Sequence, residues 1–129
     1  MLKSGILNPA LLELLARIRH TNTLVIADRG FPFWPQIETV DLALIDGIPT
    51  VLQVLDALSP NFVIGRAFAA EEFRQVNDAA VQKALAARFS RVPLIFEPHI
   101  EFKKRAPHAI GLIRTGDIIP YANLILESA

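Results

Sequence analysis

The sequence predicts a three-layer α/β/α fold with a mainly parallel sheet, and two features of its hydrophobic pattern support this. Short apolar runs of strand length, such as Leu24–Ala27 and Leu94–Phe96, alternate with segments whose apolar residues recur at helical spacing. The first of these runs is continuously apolar, as expected of a strand that is buried on both faces. Because strands alternate with helices along the chain, we expect one α/β domain spanning residues 1–129.

The predicted helices begin at recognisable caps or at changes of spacing. Asn8 suits the cap and Pro9 the first turn of a helix that we expect to end near Arg19 and His20. The other predicted helical segments are Thr50–Leu58, Glu71–Arg88 with an interruption near Asn77, and a short polar helix or turn over His99–Arg105.

The predicted strands lie between these helices. They are Leu24–Ala27, Val40–Ile45, Phe62–Phe68, Val92–Phe96, Ile110–Arg114 and Leu124–Leu126. The segment from Arg29 to Gln36 is predicted to be an irregular loop that displays Phe31, Phe33 and Trp34. Phe33 and Trp34 could belong to an interface between subunits or form a hydrophobic wall of a binding site.

Composition excludes several classes of function. The 13 basic and 13 acidic residues balance, and no cluster of positive charge suits a nucleic-acid partner. Zero cysteines exclude disulfides and cysteine-ligated metals, and the three scattered histidines form no metal motif, so we expect no metal site. Apolar runs far shorter than roughly 20 residues argue against membrane insertion, and the absence of an export signal predicts a cytoplasmic protein.

The apolar content of the chain is high for its length. Hydrophobic residues make up 52% of the 129 residues, and the mean hydropathy is +0.37. A domain of this size cannot bury that much apolar surface within itself. Because exposed apolar patches usually mark interfaces, we expect a homo-oligomer.

Several polar residues lie where strands of the predicted sheet end. Asp28 follows the first strand, His99 follows the fourth, and Arg114 ends the fifth. Ligands of open α/β sheets bind outside the carboxyl ends of the strands, so these segments are candidates for a site. His20 lies just before the first strand and is the first candidate residue for a site.

Each candidate also has an ordinary structural interpretation. His20 can interact with the last carbonyl groups of a helix, Asp28 can cap a loop, and His99 can cap a short helix. Surface exposure or turn formation would equally account for Lys103, Tyr121 and Asn123, and we assign His108 to the surface. Local sequence does not decide whether the candidates converge.

Taken together, these residues resemble the D-ribose pyranase and L-fucose mutarotase family over nearly the whole chain. Any one motif is weak, and the ordered set carries the resemblance. The matching stretches are Lys3–Asn8, His20–Asp28 with Gly30 and Pro32, Val40–Leu44, Gly47–Pro49, Gln53–Leu55, Ala70–Glu72, His99 with Phe102 and Lys103, Ile113–Asp117, and Pro120–Asn123. The order of His, Asp, second His and Tyr-Ala-Asn is closest to the D-ribose pyranase branch.

The resemblance implies a fold, an activity and a set of roles. Family members are three-layer α/β proteins that assemble as rings, often decamers, with sites near subunit boundaries. They interconvert pyranose and furanose forms, or anomers, of a monosaccharide such as D-ribose, and they use no cofactor. By the resemblance His20 is the proton donor, and the residues that hold the sugar are Asp28, His99, Lys103, Tyr121, Ala122 and Asn123.

Histidine suits the chemistry that the resemblance implies. Opening a cyclic hemiacetal requires an acid at the ring oxygen and a base at the anomeric hydroxyl group. A histidine can both give and receive this proton because its pKa is near neutrality. A carboxylate at Asp28 would raise the pKa of His20 or orient its ring, or would instead bind a sugar hydroxyl group.

The loop after Asp28 departs from the family pattern. Arg29 and Phe31 stand where smaller or aliphatic residues are usual, Phe33-Trp34-Pro35 is unusually aromatic, and the segment before His99 is short. These differences leave the identity of the sugar open. The alternatives are an L-fucose-type mutarotase and a non-catalytic monosaccharide-binding or transport-accessory protein.

Overall fold

The computed structural model describes residues 1–3 and 5–129, and in this part of the chain six strands form one sheet with helices on both faces. The strands are β1 (Thr23–Ala27), β2 (Glu38–Asp41), β3 (Ile64–Ala70), β4 (Leu94–Glu97), β5 (Gly111–Arg114) and β6 (Leu124–Ser128). The α-helices are α1 (Pro9–Arg17), α2 (Val51–Leu58), α3 (Glu71–Val76), α4 (Ala79–Ala86) and α5 (His99–Arg105). Ser4, inside the matching stretch Lys3–Asn8, lies outside the described residues.

The strand order in the sheet is β2-β5-β1-β6-β3-β4. The pairs β2–β5, β5–β1 and β3–β4 are parallel, whereas β6 is antiparallel to both of its neighbours, β1 and β3. The predicted α/β fold with a mainly parallel sheet is therefore confirmed. Since β6 runs in the opposite direction, it begins at the edge of the sheet where the other strands end.

Alternate residues of β1 belong to two different buried clusters. Leu24 and Ile26 pack with residues of α1 and α2, whereas Val25 and Ala27 pack with residues of α5. All four side chains are fully buried, which agrees with a strand covered on both faces. The buried cluster on the α5 face also contains Phe31, from the loop after β1.

The predicted end of the first helix is wrong by about two residues. The helix α1 ends at Arg17, and Ile18 leaves it with an extended backbone, with φ of −72° and ψ of 132°. The side chain of Ile18 is buried. Arg19 and His20 consequently lie in a turn, where the amide of Arg19 donates to the Asn22 side-chain oxygen.

The second predicted strand is wrong over Leu42–Ile45, which lies outside the sheet. The neighbouring β5 ends opposite Asp41, and the Asp41 carboxylate accepts a hydrogen bond from the amide of Ala43, which begins a turn. Leu44 and Ile45 are then 75% and 62% exposed. These two apolar side chains, which the prediction placed in a strand, lie at the surface of the chain.

The remaining boundaries agree with the predictions to within a few residues. The third strand is displaced two residues toward the C-terminus, from Phe62–Phe68 to Ile64–Ala70. The interruption near Asn77 is confirmed, because Asp78 caps a new helix by accepting from the amide of Val81. The short helix over His99–Arg105 is also confirmed.

Two loops at the carboxyl edge of the sheet are joined by backbone hydrogen bonds. The amide of Gly47 donates to the carbonyl of Gly116 over 2.6 Å, and the amide of Gly116 donates to the carbonyl of Pro49 over 2.9 Å. The buried Asp117 carboxylate accepts from the amides of Val51 and Ile119 over 2.8 Å each. These bonds fix the segment that leads into β6 against the start of α2.

No helix within the described ranges is both long enough and apolar enough to cross a membrane. Over the same residues, no group of three or more histidine, aspartate or glutamate side chains is arranged to hold a metal ion.

Substituting Gly116→Ala should destabilise the fold. A Cβ atom at this position would lie 2.3 Å from the carbonyl oxygen of Ile45 and 2.6 Å from that of Ile48, and neither backbone can move without breaking the loop contacts. We expect the free energy of unfolding to fall by about 1–3 kcal/mol, measured by urea denaturation. Gly30→Ala is the control, because its nearest neighbour would be at 3.7 Å, and equal losses for the two variants would contradict the prediction.

Candidate functional site

A cavity of about 240 Å³ opens at the carboxyl ends of the strands. Its lining consists of Asp28, Gly30, Phe31, Pro32, His99, Pro120, Tyr121 and Asn123. β1 ends just before Asp28 and β6 begins just after Asn123, so the β1–β6 pair brings these two residues together. Four of the residues that the sequence predicts for sugar binding therefore share one cavity.

Asp28 and Asn123 are joined by two hydrogen bonds. The backbone amide of Asp28 donates to Asn123 Oδ1 over 2.7 Å, and Asn123 Nδ2 donates to Asp28 Oδ2 over 3.1 Å. The amide of Gly30 donates to Asp28 Oδ1 over 2.9 Å. The carboxylate is thereby fixed in orientation, and each of its oxygens keeps acceptor capacity for a ligand.

Asn123 has little hydrogen-bonding capacity left for a ligand. Its side chain is almost fully buried, and both its amide oxygen and its amide nitrogen are already bonded to Asp28. One N–H and one lone pair remain. The geometry shows Asn123 mainly orienting Asp28.

Arg114, the candidate at the end of β5, lies beneath the loop that follows β1. Its guanidinium group donates to the carbonyl oxygens of Asp28 and Arg29 over 3.3 Å each, and to that of Pro32 over 3.4 Å. These are long contacts made by one charged group to three carbonyl groups of the loop. Arg114 thus supports the cavity wall without lining it.

His99 is the first residue of α5, and aromatic rings surround its imidazole. The ring stacks on Phe102, with centroids 5.9 Å apart, and meets Tyr121 edge-on at 5.0 Å. Phe31 meets both His99 and Phe102 edge-on, at 6.4 and 6.1 Å. The prediction that the loop displays Phe31 is therefore wrong, since Phe31 is only 4% exposed and fills the space beside these rings.

The other two aromatic residues of the loop differ from Phe31. Phe33 is 69% exposed, whereas Trp34 packs against the buried cluster of the α5 layer. Neither of them lines the cavity.

Burial lowers the pKa of His99 below its ordinary value of 6.5. The positive charge of Lys103 lowers this pKa further, while the carboxylates of Glu72 and Asp28 act in the opposite direction. At neutral pH the imidazole is consequently uncharged, with one nitrogen donating and the other accepting. Its Nδ1 atom is buried and has no hydrogen-bond partner in the described part of the chain.

Glu72 is a residue at this site to which the sequence analysis gave no role. Both of its carboxylate oxygens accept from the backbone amide of His99, over 3.0 and 3.1 Å. The parallel pairing of β3 and β4 places Ala70 opposite Glu97, so residues just after the two strands lie close together. This adjacency of the two strand ends is the signal that could have identified Glu72. It can be recognised only when the order of the strands in the sheet is known.

Lys103 and Ala122 lie beside the cavity without lining it. Lys103 is one helical turn after His99 on α5, and its charge acts on the imidazole. The side chain of Ala122 belongs to the buried cluster on the opposite face of the sheet, with α1 and α2. The chain changes direction at Tyr121, which has a left-handed backbone with φ of 57°.

His20 lies apart from the cavity within one chain. It is exposed in the turn before β1, at the amino end of the strand, whereas Asp28 follows the carboxyl end. Between them lies β1, whose five residues at about 3.3 Å each span roughly 16 Å. The turn is fixed by the amide of Thr21, which donates to the carbonyl of Ser128 over 2.9 Å.

A larger cavity of about 320 Å³ lies beside the C-terminal half of α5. Its basic residues are already paired, Lys104 with Glu101 and Arg105 with Glu97. It contains none of the residues that the sequence analysis selected for a site. The smaller cavity at the carboxyl edge is therefore the better candidate.

Comparison with known proteins gives the family. A model of the RbsD / FucU transport protein family matches residues 1–129. The chain belongs to this family.

Relatives within the RbsD / FucU family match almost the entire chain. A D-ribose pyranase of Geobacillus thermodenitrificans is 45% identical over 128 residues, which cover 99% of this chain and 96% of the relative. A D-ribose pyranase of Chromobacterium violaceum is 44% identical, with coverage of 99% and 97%.

Solved structures of the RbsD / FucU family share the fold. RbsD of Bacillus subtilis, complexed with D-ribose, superposes with a TM-score of 0.92 at 35% identity, covering 100% of this chain and 98% of that chain. A fucose mutarotase of Streptococcus pneumoniae, in complex with L-fucose, gives a TM-score of 0.75 at 18% identity, covering 98% and 94%. Because the fucose mutarotase is only 18% identical, its similarity to this chain shows a shared fold and nothing more.

The lowered pKa of His99 predicts a pH dependence of stability in this RbsD / FucU family chain. The unfolded state binds a proton at a higher pH than the folded state does, so the free energy of unfolding decreases as the pH falls below 6.5 toward the folded pKa. His99→Gln should lose this part of the dependence. Urea denaturation between about pH 7.5 and about pH 5 measures it.

His108→Gln is the matched control for this experiment, because His108 is exposed and remote from the cavity. It should retain the pH dependence of the wild type. An unchanged dependence in His99→Gln would show that another group is responsible.

Proposed function

We propose that the protein interconverts the pyranose and furanose forms of a monosaccharide such as D-ribose by acid–base ring opening. The observation that carries this is the cavity in which an oriented Asp28 carboxylate, an uncharged His99 imidazole and the Tyr121 ring meet. Two observations support the choice of sugar. Relatives that match almost the whole chain have the name D-ribose pyranase, and a 35% identical protein has been solved in complex with D-ribose.

The cavity supplies the types of group that a sugar needs. The Asp28 carboxylate accepts hydrogen bonds from hydroxyl groups, and charged acceptors form the stronger bonds of this kind. His99 and Tyr121 can each donate or accept, so they adapt to either orientation of a hydroxyl group. Phe31 and the aromatic faces nearby pack against the C–H groups of the sugar ring.

In this proposal His20 moves the proton. It donates to the ring oxygen as the bond from that oxygen to C1 breaks, while a base removes the proton of the anomeric hydroxyl group, which leaves the open-chain aldehyde. Attack on C1 by a different hydroxyl group of the chain closes the other ring, with the proton transfers reversed. General acid–base assistance of this kind typically contributes about 10²–10⁴-fold.

The position of His20 at the opposite edge of the sheet supports a role for a second copy of the chain in this step. We infer that the cavity of one copy is completed by His20 of another copy. Four exposed apolar residues near the cavity edge are suited to such a contact, namely Leu44, Ile45, Ile48 and Ile118. A ring of copies, such as the decamers implied by the resemblance, and a cytoplasmic location belong to the same proposal.

Wild-type protein should accelerate exchange between the pyranose and furanose forms of D-ribose. Saturation-transfer NMR measures this exchange, with L-fucose and protein-free buffer as comparisons. Faster exchange on L-fucose than on D-ribose would instead indicate a fucose-type mutarotase. Binding without exchange of either sugar would indicate a sugar-binding or transport-accessory protein.

Mixing two inactive variants should restore activity if His20 acts on the cavity of another copy. His20→Ala should lower the catalysed exchange by about 100-fold or more, and Asp28→Asn should lower it through weaker sugar binding. In assemblies re-formed from equal amounts of both variants, about a quarter of the sites contain one intact His20 and one intact Asp28.

The control for mixing is the double variant His20→Ala with Asp28→Asn, mixed with wild type. Here intact groups are found together only in wild-type pairs, which also occur in about a quarter of the sites. No recovery in the first mixture, with about half of the sites active in the second, would place His20 and the cavity of one site in the same copy.

A further inference from the structure

The start of α5 lacks a capping side chain of its own. Pro98 occupies the capping position and makes no side-chain hydrogen bond to the helix. The first amide groups of a helix have no partner within it, so they require acceptors from elsewhere. For the amide of His99 that acceptor is Glu72, which is 27 positions away in the sequence.

The sheet explains why a residue of another helix can supply this cap. Strands β3 and β4 are parallel neighbours, and Ala70 pairs with Glu97 at their carboxyl ends. Helices α3 and α5 begin immediately after these strands, at Glu71 and His99. The first turns of the two helices therefore lie side by side, and the second residue of α3 contacts the first residue of α5.

The amide that Glu72 holds belongs to the residue whose ring lines the cavity. Both carboxylate oxygens lie within 3.1 Å of His99 N, and these contacts hold the backbone of His99 in place. The position of the Cα atom, from which the side chain extends, is thereby fixed. From there the ring stacks on Phe102 and meets Tyr121 edge-on. A displacement of the amide would change both ring contacts at once.

We propose that Glu72 is a positioning residue of the sugar site, which holds the His99 ring in the orientation that binds a sugar hydroxyl group. The inference rests on the proposed function, because it assigns to His99 the binding of the sugar. Glu72 itself does not line the cavity, so its effect passes through His99. It should therefore act on sugar affinity and leave the proton-transfer step unchanged.

Four charged or polar groups face the His99 imidazole, and they determine how it responds to Glu72. They are Lys103 on the same helix, Glu72 on α3, Asp28 after β1 and Tyr121 before β6. The Glu72 carboxylate raises the pKa of His99 against burial and Lys103. Removing that charge should lower the pKa of His99 further.

The test compares Glu72 with its neighbour Glu71. Glu71 lies on the same turn of α3, but it pairs with Arg74 at the surface. We expect Glu72→Ala to raise KM for D-ribose about tenfold and Glu72→Gln about threefold, both with kcat nearly unchanged. Glu71→Ala and Glu71→Gln should leave both constants unchanged.

A second measurement does not depend on catalysis. Titration of the His99 ring by ¹⁵N NMR should give a lower pKa in Glu72→Gln than in wild type, and an unchanged value in Glu71→Gln. Calorimetric titration with D-ribose then measures the loss of affinity directly. If wild type binds D-ribose without exchanging it, the proposed activity fails, while these two measurements still decide the role of Glu72.

Three outcomes would overturn the positioning role. The first is equal KM values and His99 titrations for the Glu72 and Glu71 variants. The second is a loss of kcat at unchanged KM in Glu72→Gln, which would place Glu72 in the chemical step. The third is unfolding of Glu72→Gln under conditions where Glu71→Gln stays folded, which would limit Glu72 to a structural role.

Discussion

The reversed direction of β6 is the constraint on which the candidate site depends. Five strands end at one edge of the sheet, and β6 begins there, between β1 and β3. Because of this reversal, Asn123 lies next to Asp28 and forms two hydrogen bonds with it. A sixth parallel strand in the same position would carry Asn123 to the opposite edge and leave Asp28 without its orienting partner.

The sheet also separates the groups that the proposed reaction requires. Sugar-binding groups lie at the carboxyl edge, and His20 lies at the amino edge, with the length of β1 between them. Within a single copy the two parts lie at opposite edges of the sheet. Under the proposed function, activity is then a property of the assembly, and dissociation of the copies would remove it without unfolding the chain.

The fold class could be predicted because alternating apolar runs and helical spacing are local properties. The direction of β6 could not, since a buried strand has the same hydrophobic pattern whichever way it runs. The pattern assigns the exposed Leu44 and Ile45 to a strand for a related reason, because apolar residues have the same spacing whether they face a core or the surface.

The candidate site was predictable in part for similar reasons. Asp28 and His99 directly follow strands, so the rule that ligands bind at carboxyl ends selects them. Glu72 contacts His99 across 27 positions, and Phe31 is buried among rings from α5, so both depend on strand order and packing that no local pattern contains. The separation of His20 from Asp28 follows from the length of β1 once the strand is known.

Outside glycine, the left-handed backbone conformation occurs among the described residues at Thr21 and Tyr121, with φ of 67° and 57°. This conformation is unfavourable for ordinary side chains and especially for a β-branched residue such as threonine. One of the two residues follows His20 and the other lines the cavity. Laboratory evolution for heat resistance alone would therefore favour glycine or asparagine at these two positions. Chains that acquire glycine there would gain stability but would have more flexible turns after His20 and at the cavity.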